Sequence, residues 1–230
     1  MEYKTYLQMK TKVKKDLDLE DETFISDAEM LGYFNEAIDE AESDIFGLAE
    51  DYFLTKDTID LVSGTAEYDL PTDIYANKIR GLIYSKDNLV YKIQRVRELD
   101  KFEEIGLILD NPNMDATFQF LVTNPAGDTP KIVFYPTPPS NAAGAITIWY
   151  IRNATRLTGD TDECDIPEFT RFVEQFVKVK CYEKEGHPNL QLAMASLERY
   201  RAQMVPTLRE MVPDNDNEVE QNYDPYTEMN

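Results

Sequence analysis

The chain has 230 residues, 42% of them hydrophobic and 11% aromatic, and a formal net charge of −21. That length supports one sizeable core, and no stretch approaches the roughly 18 uninterrupted apolar residues of a membrane span. So acidic a chain repels nucleic-acid phosphates instead of binding them.

The charge is unevenly placed. Residues 1–15 carry five lysines against Glu2, whereas Asp16 to Asp51 hold fourteen Asp and Glu and no Lys or Arg. Val212 to Asn230 add six acids, again without a base, so two blocks carry almost the whole net charge. The N-terminus is positive but lacks an apolar run, so it does not read as a signal peptide. Two lone cysteines, Cys164 and Cys181, form neither a CxxC pair nor a disulfide framework. These features point to the cytosol.

In chain order, residues 4–17 read as a helix with Leu7, Val13 and Leu17 among lysines. A stronger start signal follows, with Ser26 and Glu29 as a capping box and Ile25 and Met30 as its hydrophobic staple. Behind it Met30, Phe34, Ala37, Ile38, Ala41, Ile45 and Leu48 recur at helical spacing, under a heavily carboxylated outer face. From Phe53 the period changes to two. "FLTKDTIDLV" turns at Ser63-Gly64 and returns as "TAEYDL" to Pro71, which predicts a hairpin ended by a residue with no ladder donor. Strands are also predicted at 78–85, 89–93, 117–123, 131–136 and 145–152, and a short helix over 96–106 closed by Gly106. Asp165 and Glu168 read as a second capping box, with Pro167 in the first turn. Phe169, Phe172, Val173, Phe176, Val177, Val179 and Cys181 spread over more than half the helix circumference, which suits packing against two neighbours. Gly186 stops that helix. A last helix, 189–210, carries Leu190, Ala193, Leu197, Tyr200, Met204 and Leu208 and is expected to bend or break near Pro206.

Helices at both ends with strands between predict an α+β fold. Its expected form is a helical bundle from the N- and C-terminal helices (27–50 and 166–210), with an antiparallel β-sheet or sandwich layer from strands of 53–152. Residues 1–25 form a basic N-terminal segment, 26–211 the main domain, and 212–230 an acidic C-terminal extension. Phe34, Ile38, Phe172 and Phe176 are the expected core. The extension has only Val212, Val219, Tyr223, Tyr226 and Met229 to bury, too little to offset an ordering cost of about 1–2 kcal/mol per residue. It is therefore expected to be disordered alone, with the tyrosines as anchors for a partner.

Chemistry is sparse. There is no glycine-rich phosphate loop and no HExxH. The single histidine, His187, sits in the turn "EGHPN", and both cysteines read as packing residues. "DTDECD" matches a calcium loop at Asp160, Asp162 and Asp165, then lacks the glycine and has Arg171 where a bidentate Glu belongs. "DNDNEVE" fails likewise at Val219 and Pro225. Glu36 and Glu40 stand one helical turn apart, as carboxylates of a metal hydrolase do, but no histidine joins them. A solvated face is the simpler reading. Neither a catalytic residue nor a cofactor is assigned. The lysines Lys10, Lys12, Lys14 and Lys15 adjoin fourteen acids, and their expected partner is an acidic segment of a neighbouring subunit.

The order of segments resembles the head-to-tail adaptor (connector) proteins of tailed bacteriophages, in particular those of short-tailed phages. The pieces that carry it are "LGYFNEAIDEAESDI" (31–45), "GTAEYDLP" (64–71) running into "DIYANKIRGLIY" (73–84), and "YKIQRVRELDKFEEIG" (91–106). "PKIVFYPTPPSN" (130–141), "ITIWYIRNATRLTGDTDECDIPEF" (146–169) and "KCYEKEGHPNL" (180–190) complete it. The resemblance covers roughly residues 27–210. It implies a non-enzymatic virion part, assembled in the host cytoplasm and placed in the neck. There a dodecameric ring sits beneath the portal protein, extends the DNA channel and docks tail or nozzle proteins. Double-stranded DNA would pass through the lumen without specific binding. In such families a C-terminal extension commonly reaches the portal, and Tyr223, Tyr226, Asp214, Asp216, Glu218 and Glu220 would make that contact. The rivals are another neck or tail-tube component and a carboxylate-dependent metal hydrolase.

Overall fold

The computed structural model describes residues 3–19, 24–86, 89–96 and 118–211. The helix expected over 96–106 lies almost wholly outside them, as do the C-terminal extension and all six of its candidate residues. The described elements run α1 (Tyr6–Asp16), α2 (Asp27–Leu48), a 3₁₀ turn (Glu50–Phe53), β1 (Leu54–Leu61), β2 (Glu67–Asp69) and β3 (Ile74–Lys86). Then come β4 (Leu89–Arg95), β5 (Gln119–Thr123), β6 (Lys131–Tyr135), β7 (Ala142–Arg152), a second 3₁₀ turn (Pro167–Phe169), α3 (Thr170–Glu185) and α4 (Leu190–Met211). The fold is α+β, as the sequence leads one to expect.

Local signals place the helix ends. The Glu29 amide donates to Ser26 Oγ (3.2 Å) and the Ser26 amide to Glu29 Oε2 (3.4 Å), so the capping box forms. Thr5 and Gln8 cap α1 in the same way, a signal the reading of the sequence passed over. Gly186 ends α3 at φ +68°, a left-handed conformation that costs glycine nothing. The second expected capping box does not form. Asp165 is taken by the Arg152 guanidinium and the Thr155 amide, Glu168 accepts from the Tyr52 hydroxyl, and α3 starts without a side-chain cap. A charge-assisted two-pronged bond outweighs a single amide donor. Nor does Pro206 break α4, which runs through it to Met211.

One core joins the helices. Met30, Phe34, Ala37, Ile38, Ala41 and Ile45 of α2 are buried with Phe172, Val173, Val177 and Cys181 of α3 and Met204 and Leu208 of α4. The wide arc of α3 does meet two neighbours, α2 and α4. Phe176, expected in the core, is only partly buried at its margin. Tyr6, Met9 and Val13 of α1 belong to the same core, and the Tyr6 ring meets Phe34 edge-on at 5.4 Å.

The strands form a single sheet in the order β1-β7-β3-β4-β5-β6-β2. Two expectations fail here. The sheet is mixed, because β4 and β5 pair in parallel (Gln94↔Gln119, Arg95↔Phe120); a parallel pair needs a crossover of a dozen or more residues, which a tight turn cannot supply. And β1 and β2 do not pair as a hairpin. β1 joins β7 and β2 joins β6, at opposite ends of the order. The turn between them is held from outside. The Gly64 amide donates to Pro138 O (3.0 Å), the Ser63 amide to Asn141 Oδ1 (2.7 Å), and Ser63 Oγ to Pro139 O (3.0 Å). Meanwhile the eleven residues of β7 offer β1 a longer ladder than three-residue β2 can.

This topology forces curvature. Six chain steps from Leu61 to Glu67 reach at most roughly 22 Å, and a flat sheet of this many strands would be roughly 29 Å wide. The sheet therefore curls toward a barrel around its own core of Leu82, Ile93, Phe120, Ile132, Phe134, Ile146 and Ile148. Strand β7 joins the halves, since Tyr150 faces the sheet core and Ile151 the helical one.

Candidate interaction surfaces

The acidic helix α2 has no base in its own stretch of sequence, so its partners come from elsewhere. Glu29 pairs with Lys184 (2.6 Å) and Glu36 with Lys180 (2.9 Å), both on α3. Glu40 and Asp44 share Arg201 of α4 (2.9 and 2.7 Å). Asp39 meets Arg156 beyond β7, and buried Glu42 accepts the Ala154 amide beside it. The face expected to be merely solvated makes ion pairs to α3, α4 and the segment after β7, and Asp27 at its start adds pairs to α1. This also accounts for Glu36 and Glu40, which meet different cations on different helices. The hydrogen bond from Lys184 holds the Glu29 carboxyl below its ordinary range.

The N-terminal lysines are placed just as definitely. Lys4 and Lys12 both reach Glu174, which is 2% exposed, with Lys4 at 2.7 Å. A carboxylate so buried needs compensating charge, and two ammonium groups supply it. Lys10 bonds Asp160 (2.9 Å) and Asp27 (3.4 Å), and Lys14 bonds Asp27 (2.8 Å). Its bond to Lys14 draws the Asp27 carboxyl downward. Of the four lysines assigned to a subunit contact, Lys10, Lys12 and Lys14 thus have partners inside the chain. Lys15 is exposed and has none among the described residues. Main-chain bonds fix the segment too, from the Tyr6 amide to Asp162 O (2.8 Å) and from the Cys164 amide to Lys4 O (2.9 Å).

The calcium-like stretch is likewise committed to structure. Asp160 serves Lys10. Asp162 accepts from the Thr158 hydroxyl and amide (2.7 Å each) and the Gly159 amide (3.0 Å), which lowers its carboxyl. Burial would raise Asp165, but the bond from Arg152, its charge and the bonds from Thr155 together hold it low. Among the described residues, no group of three or more His, Cys, Asp or Glu is placed to hold a metal ion. Burial pushes both cysteine thiols up to about 11, so neither is a ready nucleophile. His187 stacks on Tyr182 at 4.4 Å and accepts the Asn189 amide (3.1 Å).

Two open grooves mark the surface. One, of about 450 Å³, lies between the turn before α3 and the far half of α4, with Lys4, Arg171, Tyr200 and Gln203 on its walls. The other, of about 430 Å³, runs beside a bulge in β3, where Lys78, Arg80 and Arg95 gather near Glu50. In that bulge Ala76 and Asn77 take φ of +47° and +55°, and Asn77 Nδ2 donates to Asn124 Oδ1 (2.7 Å). Neither groove was legible in the sequence, because their walls come from segments far apart in the chain. No described helix is long and apolar enough to cross a membrane.

No curated protein matches the chain. The family model described as SU10 adaptor protein matches residues 4–222, so it takes in α1 as well as the segments that carried the resemblance. The chain belongs to this family of phage head-to-tail adaptors of the short-tailed type, a structural role at the virion neck in association with portal and tail components.

Proposed function

We propose that this adaptor works as one subunit of a ring, of dodecameric symmetry, beneath the portal. The ring continues the DNA channel and gives tail or nozzle proteins a docking surface. The observation that carries this reading is the family match over nearly the whole chain. An acidic chain suits a conduit, since phosphates slide past carboxylates without adhering. In this reading residues 26–211 are the adaptor domain, with the helices as a bundle layer and the strands as a second. Residues 1–25, with their lysine-rich start, pack on it through α1, and 212–230 are its acidic extension.

The extension is the proposed portal anchor. Tyr223 and Tyr226 would enter apolar pockets, with Asp214, Asp216, Glu218 and Glu220 near basic portal residues. The strip Lys10, Lys12, Lys14 and Lys15 keeps a proposed place at the subunit interface, with Lys15 as its uncommitted member. Deleting residues 213–230 tests the anchor. The shortened chain should melt like the full one yet lose portal binding. If it binds portal with full affinity, the contact belongs to the helical layer. Imaging the intact particle tests the ring, and density for this chain anywhere but between portal and tail would overturn it.

A further inference from the structure

Strand β1 ends the sheet. β7 covers one side of it, and no described strand covers the other. The Thr58 amide donates to the Asp57 carboxylate (2.7 Å), so it is turned away from β7. Alternation in an antiparallel ladder then turns the main-chain groups of Leu54 and Lys56 outward as well. The side chains follow the same alternation. Leu54, Lys56, Thr58 and Asp60 are exposed, as is Asp57, whose carboxylate holds the Thr58 amide, while Leu61 is buried and Ile59 packs on the sheet core.

With Val62 the exposed row reads apolar, cationic, neutral, anionic, apolar. Such a row is its own complement when run antiparallel. About a two-fold axis at Thr58, Lys56 meets the partner's Asp60, whose Oδ1 also accepts the Gly144 amide in its own chain, and Thr58 meets the partner's Thr58. At the ends Leu54 meets the partner's Val62 through side chains alone, because their amides already donate to Asp51 O and Tyr68 Oη. Leu54 and Val62 are 41% and 48% exposed, two large apolar side chains without cover in the monomer. The charges also select the register. Centring the pair on Lys56 or on Asp60 sets like charges face to face, which destabilises an antiparallel pair. Edge strands commonly carry charges that repel chance partners; here the same charges favour the centre at Thr58, which sets Lys56 against Asp60 twice.

We propose that β1 is a self-pairing edge, through which two copies of the free chain join antiparallel about Thr58. This contact is isologous, so it cannot be the one repeated around a ring. Dimer and ring would then be alternative states of the chain, and the inference does not depend on the ring.

Sedimentation of the full chain over a concentration series, near 0.15 M salt, tests it. The natural sequence should dimerise. Thr58→Pro should keep the melting temperature, because a proline facing outward on an edge strand removes no bond to β7, and should run as a monomer. Lys56→Glu faces the partner's Asp60 twice and should weaken the dimer at least tenfold, while Lys56→Asp with Asp60→Lys should recover much of it. Thr58→Cys treated with a short bis-maleimide should cross-link to a dimer, since Cys164 and Cys181 are buried. If Thr58→Pro fails to fold, Lys56→Glu and the cross-link decide. A natural chain that stays monomeric throughout, or a dimer that Lys56→Glu leaves intact, overturns the proposal.

Discussion

The helical half and the sheet half arrange their charges in different ways. Along α2 the carboxylates are joined one after another to lysines and arginines of α3, α4 and the segment after β7. In the sheet half, polar bonds gather at turns and seams. Tyr68 Oη accepts from the Val62 amide (2.9 Å) and donates to Thr65 O (3.0 Å), and the Tyr150 hydroxyl bonds Asp73 (2.9 Å). Helices lying side by side bring charged residues together at successive turns, whereas strands send side chains to two faces and leave main chain at the edges. The helical half is therefore held by its apolar stripe and laced by many weak pairs. The sheet half depends on a few bonds that decide how it closes.

The largest effect expected lies in the helical core. Phe172→Ala should cost about 3–5 kcal/mol, a fall of roughly 6–20 °C in Tm for a chain this size. Phe176→Ala, at the core margin, should cost less than half as much. Equal losses in thermal melts would mean that α3 turns a different face inward.

Next comes the bond joining the halves. Arg152→Met strands the part-buried Asp165 and should cost about 1.5–3 kcal/mol, the worth of hydrogen bonds to a charged group. The Asp165 carboxyl is held below its unfolded value of about 3.9. Its contribution is therefore fully present above that pH and is lost as pH falls through the lower folded value. Asp165→Asn should flatten that part of the acid limb in a pH series of denaturant melts. An unchanged acid limb would remove Asp165 from the joint.

Tyr68→Phe probes the sheet alone. It removes the hydroxyl that bridges Val62 and Thr65 and should cost about 0.5–1.5 kcal/mol. Hydrogen exchange should quicken at residues 62–66 and stay unchanged in α2. Protection lost equally in both halves would show that they unfold together.

The smallest effect belongs to the individual surface pairs. Glu36→Gln leaves Lys180 without its partner, and exposed pairs are worth about 0–1 kcal/mol. Stability should fall by no more than that, and less at high salt, where such pairs are screened. A larger loss would mean that the pairs along α2 act as one network.

Helix existence and most helix ends were legible because their causes lie within a few residues. Ser26 with Glu29, Gly186, and the stripe from Met30 to Ile45 all appear where the sequence placed them. Apart from the overlooked box at Thr5 and Gln8, the main misses share one feature, a competitor outside the local segment. The capping box at Asp165 reads correctly by spacing and lost to Arg152, thirteen residues upstream. The hairpin over 54–70 has a sound turn and alternation, yet the loop at 138–141 takes the turn's amides and β7 takes the strand.

By itself, then, the sequence determined the α+β class, the caps at Ser26 and Gly186, the apolar faces and the absence of any recognisable catalytic motif, since spacing and side-chain chemistry act locally. Tertiary structure alone decided which strands pair, that the sheet is mixed and curled, and which base each carboxylate meets. Those are choices among distant partners. Many acids and many bases fit one another equally well on paper, and only packing brings a particular pair within reach.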